Sequence, residues 1–266
     1  MATGGFATKN ASIGYYNSVG IDLTIILFMI FAGTNFGLYF RAIRGDWKAL
    51  FKDPEWRFYI GIIFFAIVAI TWNIWMSMYA SIGEALRFST FQVASIITTT
   101  GFATADFDTW PSFSKLLLVA MMFVGGCAGS TGGGMKIIRI LVLLKHSYIG
   151  TEQAIRPHMV RTLKLGGVPV EDDVRNAIVV FFFISLNILL FCSLAMAAMG
   201  LDFVTAITSV VATLNNIGPG LGQVGAVQNY AFVPTAGKLL LSLCMVLGRL
   251  ELITILVLFM PSFWKA

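Results

Sequence analysis

Charged residues are scarce in this sequence. Asp, Glu, Lys and Arg together make up 12% of the 266 residues, whereas hydrophobic residues make up 58%. A soluble domain contains about 25% charged and about 45–50% apolar residues, so the composition excludes an ordinary soluble protein. The apolar residues occur in long uninterrupted runs, which predicts an integral membrane protein.

Cysteine and histidine are also rare. Cys127, Cys192 and Cys244 lie in apolar segments without pairing or metal-ligand spacing, which is typical of small buried side chains. His146 and His158 lie in one loop, so no catalytic or metal cluster can be built around them. An intramembrane enzyme would need a Ser/His, Asp/Asp or His/Glu constellation at membrane depth. The sequence has none, and we expect no enzymatic activity.

Several segments are long and apolar enough to cross a bilayer as helices, which takes about 20 residues each. These predicted spans are 21–40, 57–79, 114–144, 176–199 and 238–262. Two shorter apolar segments, 84–97 and 202–213, each end in a turn rich in Thr, Asn or Gly. Because they reach only part of the way across, we predict re-entrant helices.

The distribution of basic residues predicts the orientation of the chain. Most of them follow the first span or the glycine-rich stretch 125–134, and Lys265 joins them at the far end. This side is therefore predicted to be cytoplasmic. The net charge of +5 is better explained by orientation than by nucleic-acid binding, and we expect no nucleic-acid partner. The start of the chain then lies outside with no preceding span, which predicts that an amino-terminal part of the polypeptide is missing.

An internal repeat is the most informative feature. The sequence Gly5-Phe6-Ala7-Thr8 recurs as Gly101-Phe102-Ala103-Thr104, and 215–218 aligns with 98–101. Each copy precedes a span that contains an aligned glycine, namely Gly33, Gly125 and Gly248. The predicted unit is a span, a half-helix, a polar turn and a second span.

The turns of this repeat offer neutral oxygen atoms at membrane depth. Non-helical backbone survives there only if it is buried in protein or lines a water-filled cavity. Carbonyl and hydroxyl oxygens at the negative end of a helix dipole suit a dehydrated monovalent cation. The carboxamides of Asn215 and Asn216 also favour ion ligation. The alternative is that these turns are ordinary re-entrant or extracellular loops.

Three motifs closely resemble those of the Trk/Ktr/HKT potassium transporter family, and most of all its TrkH branch. They are 98–107, 125–136 and 215–222, and the resemblance extends over nearly the whole chain. It implies an all-α integral membrane fold of repeated helix, pore helix, filter loop and helix units, similar to potassium channels. In that family four such units surround one pathway.

The resemblance also implies a division of the chain and a set of filter residues. The predicted parts are 1–45, the tail of the second pore unit; 46–150, the third unit with the glycine-rich stretch; 151–174, a cytoplasmic loop; and 175–266, the fourth unit. The implied filter residues are Ala2, Thr3 and Gly5 in the second turn, Thr98, Thr99, Thr100 and Gly101 in the third, and Asn215, Asn216, Ile217 and Gly218 in the fourth.

The implied function is potassium uptake, with K⁺ as the transported ion and no organic cofactor in the chain. The implied setting is a homodimer in the bacterial inner membrane with its carboxy terminus in the cytoplasm. The implied partners are a cytosolic nucleotide-binding subunit of the TrkA type and the missing amino-terminal half. Two alternatives remain: a Na⁺/K⁺ transporter of the same family, or a non-conducting fragment, because incomplete units cannot enclose a four-sided filter.

The glycine-rich stretch 125–134 interrupts a predicted span. Glycine costs about 1 kcal/mol per helical position relative to alanine, so we predict that this stretch is not helical. Its spacing to Lys136 does not match a nucleotide-binding loop. It is either a close-packing seam or, as the resemblance implies, a gate below the filter. The implied gate residues are Gly125, Gly126, Gly129, Ser130, Thr131, Gly132, Gly133, Gly134 and Arg249.

Arg249 is a charge within a predicted span, which is costly unless it faces a partner or a water-filled cavity. We predict that it lines the pathway below the filter, and the alternative is a structural contact with carbonyl groups. Glu251 is a poor direct partner, since it lies two residues on. Asp106 and Asp108 either concentrate cations outside the third turn or form an ordinary turn. Asp202 is expected to cap its half-helix.

Overall fold

The computed structural model describes residues 3–159, 161–250, 252–258 and 261–265. Within these ranges the chain is mostly α-helical. The helices are α1 Val19–Ala32, α2 Phe36–Ile43, α3 Trp47–Lys52, α4 Pro54–Trp75, α5 Ile82–Ile97, α6 Ser112–Val124, α7 Ile137–Ile155, α8 Asp172–Ala198, α9 Phe203–Leu214, α10 Thr235–Arg249 and α11 Leu252–Leu258. An antiparallel hairpin of β1 Lys164–Leu165 and β2 Val168–Pro169 lies between α7 and α8.

Two described helices, α4 and α8, are each long and apolar enough to cross a membrane alone. They match the predicted spans 57–79 and 176–199. The helices α1 and α2 qualify only as a pair, and they are bent by 93° at the break between them. Asn35 begins α2, because its side-chain oxygen accepts a 2.8 Å hydrogen bond from the Gly37 N–H. The prediction of one continuous span over 21–40 is therefore wrong.

The other two predicted long spans also break beside a repeat glycine. Helix α6 stops at Gly125, and the glycine-rich stretch that follows is not helical, as predicted. Helix α10 ends at Arg249, one residue after Gly248. The predicted interruption of the span 114–144 is therefore observed, whereas the prediction of an unbroken span over 238–262 is wrong. The helices that follow the three turns, α1, α6 and α10, therefore all end beside the aligned glycine of the repeat. We call these three the inner helices.

Helices α5 and α9 are the two half-helices of the repeat. They were predicted at 84–97 and 202–213, close to their observed bounds. Helix α5 packs against α4, α6 and α1, whereas α9 packs against α8, α10 and α6. Each half-helix is therefore held by its own two flanking helices and by the inner helix of the preceding copy. Their carboxy-terminal turns are fully enclosed in protein.

Local contacts fix the outer ends of the half-helices. Asp202 caps α9, as predicted, by accepting a 3.1 Å hydrogen bond from the Thr205 N–H. Hydrogen bonds from Thr205 also lower the pKa of the Asp202 carboxyl. On α5, Arg87 forms a 2.7 Å ion pair with the buried Asp22 of α1. This ion pair ties the half-helix to the inner helix of the preceding copy.

Candidate functional site

The two half-helices end in the same hydrogen-bonded turn. At the end of α5, the Thr100 N–H donates to the Ser95 carbonyl at 2.9 Å and the Thr99 N–H donates to the Ile96 carbonyl at 3.1 Å. This pair of bonds defines a Schellman motif, which reverses the chain at a helix carboxy terminus. The N–H groups of the turn are directed back to the helix.

The corresponding bonds recur at the end of α9. The Ile217 N–H donates to the Ala212 carbonyl at 2.8 Å, and the Asn216 N–H donates to the Thr213 carbonyl at 3.1 Å. The two copies are therefore equivalent bond by bond, which the sequence repeat indicated only at the level of residue types. In both turns these N–H groups donate back to carbonyl groups of the half-helix.

Both turns contain a strained residue. Thr99 and Asn216 occupy aligned positions, and each has a φ of 56°. A left-handed backbone costs roughly 1–2 kcal/mol for a residue other than glycine, and a β-branched residue such as threonine is seldom found there. Strain of this kind persists where the surrounding structure enforces it, and it clusters at functional sites.

The three turns meet at one place. A β-carbon added to Gly101 would collide with the Ile217 carbonyl oxygen and would lie 2.8 Å from the Cα atom of Gly5. The Gly5 N–H donates a 2.7 Å hydrogen bond to the Thr100 carbonyl. Thr3, the first described residue of the second turn, follows Ala2, which lies outside the described residues. Glycine is thus required at Gly101 by its φ of 77° and by the close approach of two neighbouring backbones.

The two asparagine side chains of the fourth turn donate hydrogen bonds to helix carbonyl groups. The carboxamide nitrogen of Asn215 donates to the Val211 carbonyl at 2.9 Å, and that of Asn216 donates to the Met245 carbonyl at 3.2 Å. Both amides therefore brace the turn against α9 and α10. The assignment of Asn215 and Asn216 to the filter stays a prediction.

The glycine-rich loop, residues 125–134, lies directly against the base of these turns. A β-carbon added to Gly132 would lie 3.2 Å from the Thr98 carbonyl oxygen. A β-carbon added to Gly133 would collide with the Asn215 carbonyl oxygen. Thr98 and Asn215 are aligned in the repeat, so the loop contacts the same point of both turns. The Gly133 N–H also donates a 2.6 Å hydrogen bond to the Thr99 hydroxyl.

Further hydrogen bonds attach this loop to the break between α1 and α2. The Cys127 N–H donates to the Gly33 carbonyl at 2.9 Å, and the Thr131 N–H donates to the Ala32 carbonyl at 3.2 Å. From the other side, the Phe36 N–H donates to the carbonyl of Gly129 at 3.2 Å. Within the loop the Ser130 hydroxyl donates a hydrogen bond to the Cys127 carbonyl. The Ile137 N–H, at the start of α7, donates a hydrogen bond to the Gly126 carbonyl. Gly125 and Gly134 lie in contact where the chain enters and leaves the loop.

Arg249 reaches the same loop from the end of α10. Its guanidinium donates a 3.1 Å hydrogen bond to the Thr131 carbonyl and lies 3.5 Å from the Thr3 hydroxyl. Glu251 lies outside the described residues. The arginine thus makes the carbonyl contact that was one alternative, and its place along the ion pathway stays a prediction.

Two cavities lie on opposite sides of the turns. The first, of about 290 Å³, is lined by Gly5, Gly101 and Gly218 together with the loop that carries Tyr230. The second, of about 360 Å³, is lined by the glycine-rich loop and Arg249. The turns and the glycine-rich loop therefore lie between the two cavities.

Sequence reasoning missed two residues beside the site. The Tyr230 hydroxyl donates a 2.7 Å hydrogen bond to the Gly218 carbonyl, and burial raises the pKa of this tyrosine. Glu55, at the start of α4, accepts a hydrogen bond from the Ala128 N–H of the glycine-rich loop. Neither side chain is part of a motif, so only the fold brings it to the site. Asp106, by contrast, caps a short turn by accepting the Asp108 N–H at 3.2 Å.

Paired half-helices, equivalent turns and a shared axis define this protein as an α-helical membrane protein with a potassium-channel-like pore fold. The chain belongs to the TrkH family of cation transport proteins, whose family model matches residues 1–266. It is 41% identical over 267 residues to the Trk system potassium uptake protein TrkH of Escherichia coli. It is also 42% identical to TrkH of Halomonas elongata and 34% identical to TrkG of Escherichia coli, each over 268 residues.

A solved structure agrees with these relatives. The crystal structure of the potassium transporter TrkH from Vibrio parahaemolyticus matches 98% of this chain and 56% of its own, with a TM-score of 0.92 and 38% identity. The curated relatives named above are matched over 100% of this chain and 55% of their own length. The chain therefore spans about half the length of the proteins that it resembles.

Proposed function

We propose that this chain supplies the second, third and fourth turns of a potassium filter and the loop that gates it, within a potassium uptake subunit. The transported ion is K⁺, and the chain carries no organic cofactor. The observation that carries this function is the meeting of Gly5, Gly101 and Gly218 between two cavities. The relatives named for potassium uptake support the choice of ion.

The chemistry of the turns suits a monovalent cation. The N–H groups of the third and fourth turns donate to their half-helices, and backbone carbonyl oxygens of these turns replace water around the ion. Both half-helices direct the negative end of their dipole toward the turns, which stabilises a cation there. Neutral oxygens bind a singly charged ion weakly enough to release it, and conduction requires this.

The gating function is assigned to the glycine-rich loop together with Arg249. The loop lies in contact with the turns, and the guanidinium adds a positive charge below them. A fixed positive charge raises the electrostatic barrier to a cation at this point. Moving the loop away from the turns would remove both the obstruction and its contact with Arg249.

The assembly is proposed from the family. The part of the relatives that this chain does not span would supply the remaining turns. A homodimer in the bacterial inner membrane, with the carboxy terminus in the cytoplasm and a TrkA-type nucleotide-binding subunit below it, completes the proposal. The basic residues after α1 and after the glycine-rich loop favour this orientation.

Uptake of rubidium by a bacterium that lacks its own potassium uptake tests the function. The chain is expressed alone and joined to the amino-terminal part of Escherichia coli TrkH that it does not span. We expect the joined protein to restore growth on low potassium, and Gly101→Asp to abolish uptake. Gly150→Asp is the control, because Gly150 has open space around it at an exposed position on α7.

Each other outcome selects a different function. Uptake of sodium with no preference for rubidium would favour a Na⁺/K⁺ transporter. If neither protein carries an ion although both reach the membrane, the chain is a non-conducting fragment. If Gly101→Asp leaves rubidium uptake unchanged, the turns do not form the filter.

A further inference from the structure

Glu55 contacts the glycine-rich loop and the helix that follows it. Its Oε1 atom accepts a 2.6 Å hydrogen bond from the N–H of Ala128, inside the loop, and a 3.2 Å bond from the N–H of Ile138. Ile138 is the second residue of α7, which follows the loop. One carboxylate oxygen therefore joins the beginning of the loop to the helix at its end.

The contact is tertiary and is not a by-product of helix capping. Helix α4 is already capped by Asp53, whose side chain accepts a 2.8 Å hydrogen bond from the Trp56 N–H. Glu55 is 5% exposed, and a buried carboxylate is costly unless hydrogen bonds compensate it. The partners that compensate it lie more than 70 residues further along the chain. Its burial is therefore stabilised mainly by the loop and α7.

A cavity adjoins this contact on the side predicted to be cytoplasmic. It has a volume of about 550 Å³ and is lined by Glu55, Ala128 and Ile138, by Lys52 of α3 and by Leu165 of the β-hairpin. The carboxylate therefore lies between the loop and a cavity that is bounded by α3 and the β-hairpin. It has room to leave the loop without displacing a packed side chain.

We propose that Glu55 is a positioning residue that latches the glycine-rich loop against the turns. While its carboxylate accepts the Ala128 and Ile138 N–H groups, the loop and the start of α7 are fixed to α4, and the loop stays below the turns. When the carboxylate leaves, both N–H groups lose their acceptor and the loop is free to move. This role rests on the proposed function, because it specifies how the proposed gate is held.

Rubidium uptake by the joined protein tests the latch. We expect Glu55→Ala to raise basal uptake several-fold, because both hydrogen bonds are lost. Glu55→Gln keeps an oxygen acceptor without the charge and should give a smaller rise. Glu84→Ala is the matched control, since Glu84 is an exposed glutamate in the first turn of another helix. It should leave uptake unchanged.

A second measurement separates a latch from a purely structural contact. Deletion within 129–134 should raise basal uptake, and Glu55→Ala added to this deletion should raise it no further, because both changes act on the same loop. A residue that only stabilises the fold would instead lower the uptake of both proteins. Surface labelling measures the amount of each variant in the membrane.

The latch and the proposed function fail in different ways. If the unsubstituted joined protein carries no rubidium above the empty vector, the proposed function is wrong. If it conducts while Glu55→Ala and Glu55→Gln both retain its basal uptake, the latch is wrong and the function stands. If Glu55→Ala does not reach the membrane, Glu55→Gln decides alone, and unchanged basal uptake overturns the latch.

Discussion

The Thr99 hydroxyl accepts a 2.6 Å hydrogen bond from the backbone N–H of Gly133, and this bond joins the third turn to the glycine-rich loop. Both groups are buried. Thr99 also has the left-handed backbone of a Schellman turn, a conformation in which glycine or asparagine is commoner. The strained threonine therefore supplies a hydroxyl where the third turn meets the loop. A movement of the loop must alter this turn.

Replacing Thr99 with valine tests this link. The substitution keeps the side-chain shape but removes the acceptor, and leaving the buried Gly133 N–H unpaired costs about 1–3 kcal/mol. We expect basal rubidium uptake by the joined protein to rise. Thr99→Ser retains the hydroxyl and should behave like the unsubstituted protein. Equal uptake by both variants would show that the bond does not hold the loop.

The repeat could be predicted from the sequence because each copy carries its own local signals. Polar and glycine residues end both half-helices, so α5 and α9 were predicted close to their observed bounds. The same glycines locate the place where the turns meet. Residue types do not reveal strain, however. The left-handed φ at Thr99 follows from the hydrogen bonds of the folded turn.

The features that the sequence did not reveal depend on the folded structure. Hydropathy measures whether a segment is apolar, and it does not measure its direction, so the 93° bend after α1 was missed. The carboxamides of Asn215 and Asn216 are predicted to favour ion ligation, and residue types do not reveal that their nitrogens donate to the Val211 and Met245 carbonyl groups. Glu55 could not be found, since its partner Ala128 is 73 residues away.

Tyr230 is expected to set the geometry of the fourth turn. Its hydroxyl donates a 2.7 Å hydrogen bond to the carbonyl of Gly218, and Gly218 lines the cavity of about 290 Å³ beside the turns. Tyr230→Phe removes a bond worth about 1 kcal/mol, which predicts a several-fold change in the ratio of rubidium to sodium uptake. Tyr15→Phe, at an exposed tyrosine, is the control. An unchanged ratio in Tyr230→Phe would show that the hydroxyl does not position the carbonyl.

Arg249 is expected to restrain the glycine-rich loop and to repel cations. Arg249→Gln shortens the side chain, weakens the 3.1 Å contact with the Thr131 carbonyl and removes the charge. Both effects should increase basal rubidium uptake. Lys238→Gln at the opposite end of α10 is the control, since Lys238 bonds an exposed loop carbonyl there. Reduced uptake in Arg249→Gln, with normal amounts in the membrane, would mean that the arginine supports conduction.

The ion pair between Asp22 and Arg87 should contribute to the stability of the described fold. Asp22 is 1% exposed and its carboxylate lies 2.7 Å from the guanidinium, so removing one partner leaves a buried charge uncompensated. Breaking a buried pair in this way costs about 3–5 kcal/mol. We expect Arg87→Gln to lower the thermal unfolding temperature of the detergent-solubilised protein by several degrees. Asp22→Asn should have a smaller effect because it removes the buried charge itself.

The exposed pair between Arg41 and Asp46 provides the comparison. Its nitrogen and oxygen atoms are 2.8 Å apart, a distance like that of the buried pair, but 61% and 51% of the two side chains are exposed. Solvent screening limits such pairs to about 0–1 kcal/mol, so Arg41→Gln should change the unfolding temperature little. The double variant of Asp22→Asn with Arg87→Gln should be more stable than Arg87→Gln alone, since the unpaired charge is gone. Equal destabilisation by Arg87→Gln and Arg41→Gln would show that the buried pair does not hold α5 against α1.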